Sequence, residues 1–467
     1  MNKVSYIALG AIAQQILSFG VILLITRLLG ADGYGEIVTL IALANTLYCF
    51  SAQWAQPYIV RTGAVGFANK KIIGNEFLVP AVISIAVLIV LTYLFTHFFS
   101  TLLGDISTIP VSMIYLSSVS YLIFQVAKNS LQIQSRFGYY GMLLSLDKLL
   151  LLIFLCALVL ADSLTKSHML WSYVAGTLFA GMSGLMVGLY KKHQWRSGDF
   201  KFREYIKSVA PSSLSVVIFY FSTITFLILI SRGREGAEYI AWIGMGSIIL
   251  GVLMQPVNWL APTLAPKLSR DVLEADSHVR IARYLQDWVL SITAIVMWVT
   301  VCAIVMIIYT PVLSLLLGKG FDGGAEVIAL VVTLTVAEVA NLMLVQLVYA
   351  CKLEKMVLLA VFCKALPLLI GYTVGASVVH LLVLMNLGGW LAILVSLFSL
   401  VKFLNRQWVL QYGALGLLAF LLSIAVIMPN TAWYLGMMLL VVMLISGASI
   451  KQLFSAFRVK QSKVASE

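Results

Sequence analysis

The chain has 467 residues, of which 61% are hydrophobic and 11% are charged, and its mean hydropathy is +1.00. Soluble domains carry about a quarter charged residues, so this composition excludes an ordinary soluble globular protein and long disordered tails. The apolar residues form unbroken runs of about 20, which is the length of a helix that crosses a bilayer, and they lack the alternation of an outer-membrane barrel. We therefore predict an all-α polytopic membrane protein.

The apolar runs predict fourteen transmembrane helices, numbered here as spans 1 to 14. They lie at about 4–26, 35–58, 77–100, 108–128, 141–161, 169–190, 206–231, 239–262, 287–310, 325–350, 356–376, 379–401, 408–428 and 431–449. Only Gly375, Ala376 and Ser377 separate spans 11 and 12. A count of about 12 or 13 spans is therefore the alternative.

Basic residues recur in the loops that follow every second span. With the N-terminus in the cytoplasm, 24 of the 31 Lys and Arg residues fall on the cytoplasmic side and 5 on the opposite side. The positive-inside rule then predicts that both termini are cytoplasmic. The net charge of +12 thus reflects basic residues in cytoplasmic loops. No nucleic-acid partner is expected.

A polar segment at 191–204 divides the chain into two halves. We predict an N-terminal lobe of six spans at 1–190, a cytoplasmic linker at 191–204, a C-terminal lobe of six spans at 205–401, and two added spans with a cytoplasmic tail at 402–467.

An internal repeat supports this division. Gln53–Pro57 (QWAQP) closes span 2, and Asn258–Pro262 (NWLAP) closes span 8 at an offset of 205 positions. The loop Gly30–Tyr34 before span 2 has a counterpart in Gly236–Tyr239 before span 8. Farther along, Arg136 and Lys148 recur as Lys352 and Lys364, both at an offset of 216. These matches favour two pseudo-symmetric lobes related by duplication.

Polar stripes run along several spans. They comprise Asn45, Tyr48, Gln53 and Gln56 in span 2; Ser118, Tyr121, Gln125, Asn129 and Gln132 in span 4; and Gly244, Ser247, Gly251, Gln255 and Asn258 in span 8. Polar groups are costly in hydrocarbon unless they face a bundle interior or a watery cavity. We predict a hydrated cavity between the lobes; the alternative is hydrogen bonding between packed helices.

Motifs for catalysis are absent from the sequence. Gly318–Gly320 (GKG) has neither the spacing nor the hydroxyl of a phosphate-binding loop, and no GxSxG, HExxH or Cys/His metal spacing occurs. We expect no enzymatic activity, no cofactor and no metal. A secondary transporter or flippase remains, or a membrane-embedded polysaccharide polymerase or ligase.

Two segments carry a resemblance to a known family. Ile25–Gly35 is similar to the R-x-L-G-x-x-x-Y-G segment near the start of polysaccharide transporters, and Gln132–Phe137 is similar to their Q-x-x-x-R-F element. Arg61 stands where such sequences place an Arg after the second span. The chain thus resembles the flippases of O-antigen and related lipid-linked oligosaccharides, within the multidrug/oligosaccharidyl-lipid/polysaccharide (MOP) exporter superfamily.

The resemblance implies two lobes around a cationic cavity and movement of an undecaprenyl-pyrophosphate-linked oligosaccharide from the cytoplasmic to the periplasmic leaflet. It implies the bacterial inner membrane, with a polysaccharide polymerase and a chain-length regulator as pathway partners and a proton or sodium gradient as the driving force. The prenyl tail would lie in lipid beside spans 13 and 14. A drug exporter of the same superfamily is the alternative, but it would favour acidic cavity residues. A polymerase or ligase would carry a larger periplasmic loop.

Ten residues are candidates for the transport site. The substrate-binding set comprises Arg27, Arg61, Arg136, Lys148, Lys364, Gln53, Trp54 and Asn258, and the ion-coupling set comprises Glu338 and Asp147. Basic groups can replace the hydration of a pyrophosphate, and amides with aromatic faces suit sugars.

Each of these roles has a structural alternative. Arg27, Arg61, Lys148 and Lys364 could extend to the lipid headgroups instead. Glu338 could form a static ion pair with Lys364. Asp147 precedes Lys148, but adjacent helical residues point apart and need not pair.

Overall fold

The computed structural model describes residues 3–56, 58, 59, 63, 67, 70–98, 109–190, 192–194, 200–271, 281, 284–318, 320–351, 353–400 and 421–427. In this part of the chain the structure is almost entirely helical, and the extended pairing there is an isolated bridge between Ile73 and His193. The all-α prediction is confirmed.

Twelve α-helices are numbered here in chain order. They are α1 Lys3–Ser51, α2 Asn75–Phe98, α3 Val111–Ile133, α4 Phe137–Leu160, α5 Lys166–Leu189, α6 Phe202–Tyr220, α7 Ile224–Asp271, α8 Ser291–Tyr309, α9 Val312–Leu317, α10 Ala325–Ala350, α11 Glu354–Thr373 and α12 Val378–Ser399. A 3₁₀ turn at Gln53–Ala55 follows α1, and a π-helical segment at Leu285–Leu290 leads into α8.

Among the described residues, ten helices are long and apolar enough to cross a membrane, and one bent pair passes the same test jointly. With both arms of α1 and of α7 counted, helices cover each predicted span from 1 to 12, and span 7 is a bent pair. The predicted spans 13 and 14 lie outside the described residues, apart from helical Leu421–Ile427. Spans 11 and 12 are separate helices, because Gly375 adopts a φ of 75° between them.

Two long helices, α1 and α7, each break at a single glycine. Gly30 has φ 71° and ψ −173°, and Gly236 has φ 85° and ψ −179°. The loops predicted at Gly30–Tyr34 and Gly236–Tyr239 are therefore wrong, because the chain resumes its helix directly after each glycine. Positive φ is a conformation that glycine adopts without steric cost. The shared break at repeated positions supports the duplication.

The predicted span 7 is not one straight helix. Ser213–Tyr220 of α6 and Ile224–Arg232 of α7 meet at an angle of 50°. The Ser222 and Thr223 hydroxyls donate to the carbonyls of Phe219 and Tyr220, each at 2.7 Å. Thr223 Oγ1 also accepts the Phe226 N–H at 3.3 Å, so it caps the helix that follows.

The chain forms two compact units. Unit 1 comprises Met1–Gly244 with Leu316–Phe321, and unit 2 comprises Met245–Leu315 with Asp322–Glu467. The division between the units thus falls within α7. The lobe boundary at 191–204, which concerns the duplicated sequence halves, stays a prediction.

Small residues allow close helix packing in both units. A Cβ at Gly188 of α5 would lie 2.1 Å from the Ser130 hydroxyl of α3, and one at Gly388 of α12 would lie 2.2 Å from the Lys364 carbonyl oxygen of α11. These glycines bring neighbouring backbones together, which is the usual role of small residues between membrane helices.

Candidate functional site

The interior of unit 1 contains a polar layer where the second arm of α1 meets α3. The Tyr48 hydroxyl donates to Gln56 Oε1 at 3.4 Å, and Gln56 Nε2 donates to Asn129 Oδ1 at 3.3 Å. The rings of Tyr48 and Tyr121 pack edge to face at 5.2 Å. The polar stripes of spans 2 and 4 therefore contact one another inside unit 1.

An acid and a base lie beside this layer on α4. Asp147 Oδ2 is 3.0 Å from Lys148 Nζ, although the two residues are adjacent in the helix. The sequence left this pairing open, and in the structure the long lysine side chain folds back to the carboxylate. The same ammonium group lies 5.5 Å from the centre of the Tyr173 ring of α5.

A second cation, Lys128 of α3, belongs to the same group. Its ammonium lies 5.8 Å from the Phe124 ring centre and 6.0 Å from that of Tyr140, within cation–π range, and it interacts electrostatically with Asp147. Tyr121 interacts with both Asp147 and Lys148. We call Lys128, Asp147 and Lys148 the lysine cluster.

The lysine cluster contains two basic side chains and one acidic side chain, so its formal charge is positive. Asp147 is buried, and its Oδ1 atom has no hydrogen-bond partner among the described residues. The rings of Phe124, Tyr140 and Tyr173, which lie near the two lysines, carry no formal charge. A membrane interior that holds two cations with one anion is electrostatically suited to an anionic ligand.

Unit 2 contains an ion pair at the position that corresponds by the repeat to Lys148 of the lysine cluster. Lys364 Nζ of α11 is 2.5 Å from Glu338 Oε1 of α10, and the lysine side chain is only 5% exposed. One turn from Glu338, Asn341 donates to the Gly389 carbonyl of α12 at 3.0 Å. The structure thus contains the Glu338–Lys364 pair that the sequence analysis left as the alternative to ion coupling.

The described arginine candidates are held by backbone carbonyls. Arg27 Nε donates to the Leu316 carbonyl at 3.2 Å, and Arg136 donates to the Val187 carbonyl at 3.0 Å. Each contact ties the end of one helix to another segment of unit 1. Arg61 lies outside the described residues.

The QWAQP segment packs against an aromatic cluster. Trp54 Nε1 donates to the Phe50 carbonyl at 3.0 Å, and its ring lies 6.3 Å from that of Tyr205. Gln53 is half-buried in the 3₁₀ turn. The side chain of Asn258, the repeat counterpart of Gln53, lies outside the described residues.

Sequence reasoning missed Lys128 because it was counted with the basic loop that follows span 4. The helical spacing could have identified it, since Lys128 continues the Tyr121 and Gln125 face of α3 by i+7 and i+3. It also missed the buried pair between Glu36 and Arg232, which are 2.8 Å apart. That pair joins residues 196 positions apart, and no local pattern identifies it.

Comparisons with solved structures agree with this architecture. The chain is similar to a lipid II flippase MurJ in an inward closed conformation, with a TM-score of 0.60 and 14% identity over 97% of this chain and 99% of the other. It is similar to the Vibrio cholerae MATE transporter VcmN, with a TM-score of 0.53 and 16% identity over 88% and 97% of the chains. It is also similar to a MOP superfamily transporter from Pyrococcus furiosus, described as having a binding pocket of reverse polarity. The TM-score is 0.55 and the identity is 13%, over 86% of this chain and 95% of the other.

No protein-family model and no curated protein sequence matches the chain. The structural matches show that the chain has the fold of MOP superfamily transporters, a fold of about 14 transmembrane helices. The chain is therefore a multi-pass membrane protein with a transporter fold.

Proposed function

We propose that this protein is a flippase that moves an undecaprenyl-pyrophosphate-linked oligosaccharide from the cytoplasmic to the periplasmic leaflet of a bacterial inner membrane. The cargo is a repeat unit of O-antigen or a related surface polysaccharide. The observation that carries the proposal is the positive surplus of the lysine cluster in a polar, aromatic interior. The fold match to a lipid II flippase supports a lipid-linked cargo.

The chemistry of the cluster fits such a cargo. A pyrophosphate that leaves water needs cationic donors to replace its hydration, and Lys128 and Lys148 would supply them. The nearby amides of Gln56 and Asn129, together with the ring of Tyr48, offer donors, acceptors and a flat face to sugar hydroxyls. Substrate binding would release Lys148 from Asp147, so that the acid could take part in coupling to a proton or sodium gradient.

The rest of the proposal concerns the cellular setting. Both termini would be cytoplasmic, and a polymerase and a chain-length regulator of the same pathway would use the exported units. A cation exporter of the same superfamily is disfavoured, because the cluster would repel its substrates.

The test is a flipping assay in proteoliposomes with a fluorescent undecaprenyl-pyrophosphate-linked disaccharide. A hydrogen bond to a charged group contributes about 1.5–3 kcal/mol, so Lys128→Gln is expected to slow flipping about tenfold or more. Lys201→Gln is the control, because Lys201 is exposed and forms a surface pair with Glu204 at 3.1 Å. Transport of cationic dyes with no flipping of the lipid substrate would overturn the proposal.

A further inference from the structure

Unit 1 contains a cavity of about 300 Å³ that lies outside the lysine cluster. It is bounded by the second arm of α1, by α2 and by the bend between α6 and α7, and its lining is almost entirely hydrocarbon and aromatic. Its walls include Leu47, Phe50, Leu91, Leu94, Phe226 and Leu229. Ligand pockets span about 300–1,000 Å³, so this cavity is large enough for a part of a ligand.

The helix break described above forms one wall of this cavity. The carbonyls of Phe219 and Tyr220 each accept both the backbone N–H and the hydroxyl of Ser222 and Thr223, respectively, so the turn keeps these groups paired within the apolar span. Rings on both sides of the break pack edge to face: Phe221 and Phe226 are 5.1 Å apart, and Phe50 and Tyr220 are 5.0 Å apart. The cavity is therefore a built feature of the fold.

The polar atoms at the cavity are already satisfied. Thr46 Oγ1 donates to the Ala42 carbonyl at 2.7 Å, which uses its one proton. The Tyr220 hydroxyl, 2.6 Å away, therefore donates to Thr46 Oγ1. Because these two hydroxyls bind each other, the cavity presents carbon to its occupant, and a hydrocarbon chain is the ligand that fits.

The cavity and the polar layer lie on opposite faces of one helix. Thr46 and Phe50 of α1 line the cavity, whereas Tyr48, between them in sequence, packs on Tyr121 of the polar layer. At 3.6 residues per turn, Tyr48 points away from the other two, so about one helix diameter of roughly 10 Å separates the two sites. A lipid with an anionic head and a long apolar chain could occupy both.

The cavity also opens to the exposed surface of unit 1. Leu94 on its rim is 40% exposed, and its neighbour Tyr93 is 64% exposed. A chain could therefore enter sideways from the bilayer while the head group stays in the polar layer.

We infer that this cavity holds a stretch of the polyprenyl chain of the cargo, a role that rests on the proposed function. The polyprenyl chain would thus lie against the bend between α6 and α7, whereas the family resemblance implies a place beside spans 13 and 14. The cavity and the polar layer lie at the same level along α1. A cargo whose head group binds in the polar layer therefore has its own hydrocarbon chain within reach of the cavity.

The test uses photo-crosslinking in nanodiscs. One probe is undecaprenyl phosphate with a diazirine in its chain, and the other is phosphatidylethanolamine with a diazirine in an acyl chain. Labelled peptides are identified by mass spectrometry. The polyprenyl probe is expected to label the walls of the cavity, and the phosphatidylethanolamine probe is expected to label them at least fivefold less.

Two variants sharpen the test. Leu94→Trp fills the rim, and each methylene excluded from the cavity lowers binding about fourfold, so loss of two methylenes reduces labelling more than tenfold. Ile85→Trp is the control: Ile85 is also 40% exposed, and nine residues along α2 it lies on the opposite face. Labelling in Ile85→Trp is expected to be unchanged.

Equal labelling by both probes, an unlabelled cavity, or full labelling in Leu94→Trp would overturn the inference. The comparison of the two probes needs no variant, so a misfolded Leu94→Trp protein does not prevent a decision. If the cavity is unlabelled but flipping depends on Lys128, only the inference that the cavity holds the polyprenyl chain is overturned. A labelled cavity in a protein that flips no polyprenyl-linked substrate overturns the proposed function alone.

Discussion

The buried ion pair in unit 2 gives a quantitative prediction. Glu338→Gln removes the negative charge from the pair but keeps the shape of the side chain. Lys364, which is 5% exposed, then keeps its positive charge in an apolar interior. The variant therefore measures what the loss of this carboxylate costs a buried lysine between α10 and α11.

The size of the effect follows from burial. Removal of one partner of a buried pair costs about 3–5 kcal/mol. Glu338 is 22% exposed and Lys364 takes part in further interactions, so we expect a smaller cost, about 2–3 kcal/mol. Replacement of a whole buried pair by apolar groups is often nearly neutral, so Glu338→Met with Lys364→Met should come within about 1 kcal/mol of the unaltered protein.

Equilibrium unfolding in detergent micelles, with Glu338→Gln, Lys364→Met and the double methionine variant, checks this arithmetic. Glu204→Gln is the control, because it breaks an exposed pair with Lys201 and should change stability by less than about 0.5 kcal/mol. If Glu338→Gln were as stable as the unaltered protein, or if the double variant were less stable than either single variant, the electrostatic reasoning would be refuted.

The same variant addresses ion coupling. A static pair predicts that Glu338→Gln keeps the ion dependence of transport once protein levels are matched. A coupling role predicts that the variant loses its response to a proton or sodium gradient in vesicles. Full activity with unaltered ion dependence would exclude the coupling role.

Three further predictions concern backbone geometry and topology. Gly30→Ala and Gly236→Ala should each destabilise the protein by about 1–3 kcal/mol, read from unfolding in detergent. An added Cβ meets nothing within 4 Å, but a positive φ with ψ near 180° is a conformation that essentially only glycine adopts. Gly388→Ala should lower the melting temperature by several degrees because its Cβ would lie 2.2 Å from a backbone oxygen of α11, whereas Gly251→Ala, with open space around it, should be neutral or stabilising. Reporter fusions within 191–204 and after the last residue should give cytoplasmic signals, and a periplasmic signal at either site would contradict the predicted topology.

The helices could be predicted from the sequence where an apolar run has clear ends. The prediction of span 10 at 325–350 matches the bounds of α10, and spans 11 and 12 are split at Gly375 as expected. Hydropathy identifies the residues that tolerate lipid, and in these helices no break or bend interrupts the apolar run.

The breaks could not be predicted in the same way. Gly30 looks like part of a loop, but one residue with positive φ redirects α1 and helical geometry resumes at once. The bend after Tyr220 leaves no sign in the hydropathy, because Ser222 and Thr223 are short polar residues within an apolar run and pair their N–H groups and hydroxyls inside the turn. Hydropathy averages over a window, and both breaks are shorter than the window.

The sequence repeat also explains why the two units differ in charge. Lys148 and Lys364 are counterparts at an offset of 216, but at the same offset Asp147 corresponds to Cys363 and Glu338 to Leu122. The two lysines are therefore neutralised by acids from unrelated positions, one on its own helix and one on the neighbouring helix.

Lys128 has no basic counterpart, since the same offset leads to Leu344, a fully buried residue in the hydrophobic core of unit 2. The positive surplus of unit 1 thus arises at one position where the repeat carries leucine. Under the proposed function, an anionic head group in unit 1 would meet two lysines that share the single carboxylate of Asp147, whereas in unit 2 it would have to displace Glu338 from Lys364. The asymmetry therefore favours unit 1 as the place where the head group binds, within a scaffold whose backbone breaks, at Gly30 and Gly236, are the same in both halves.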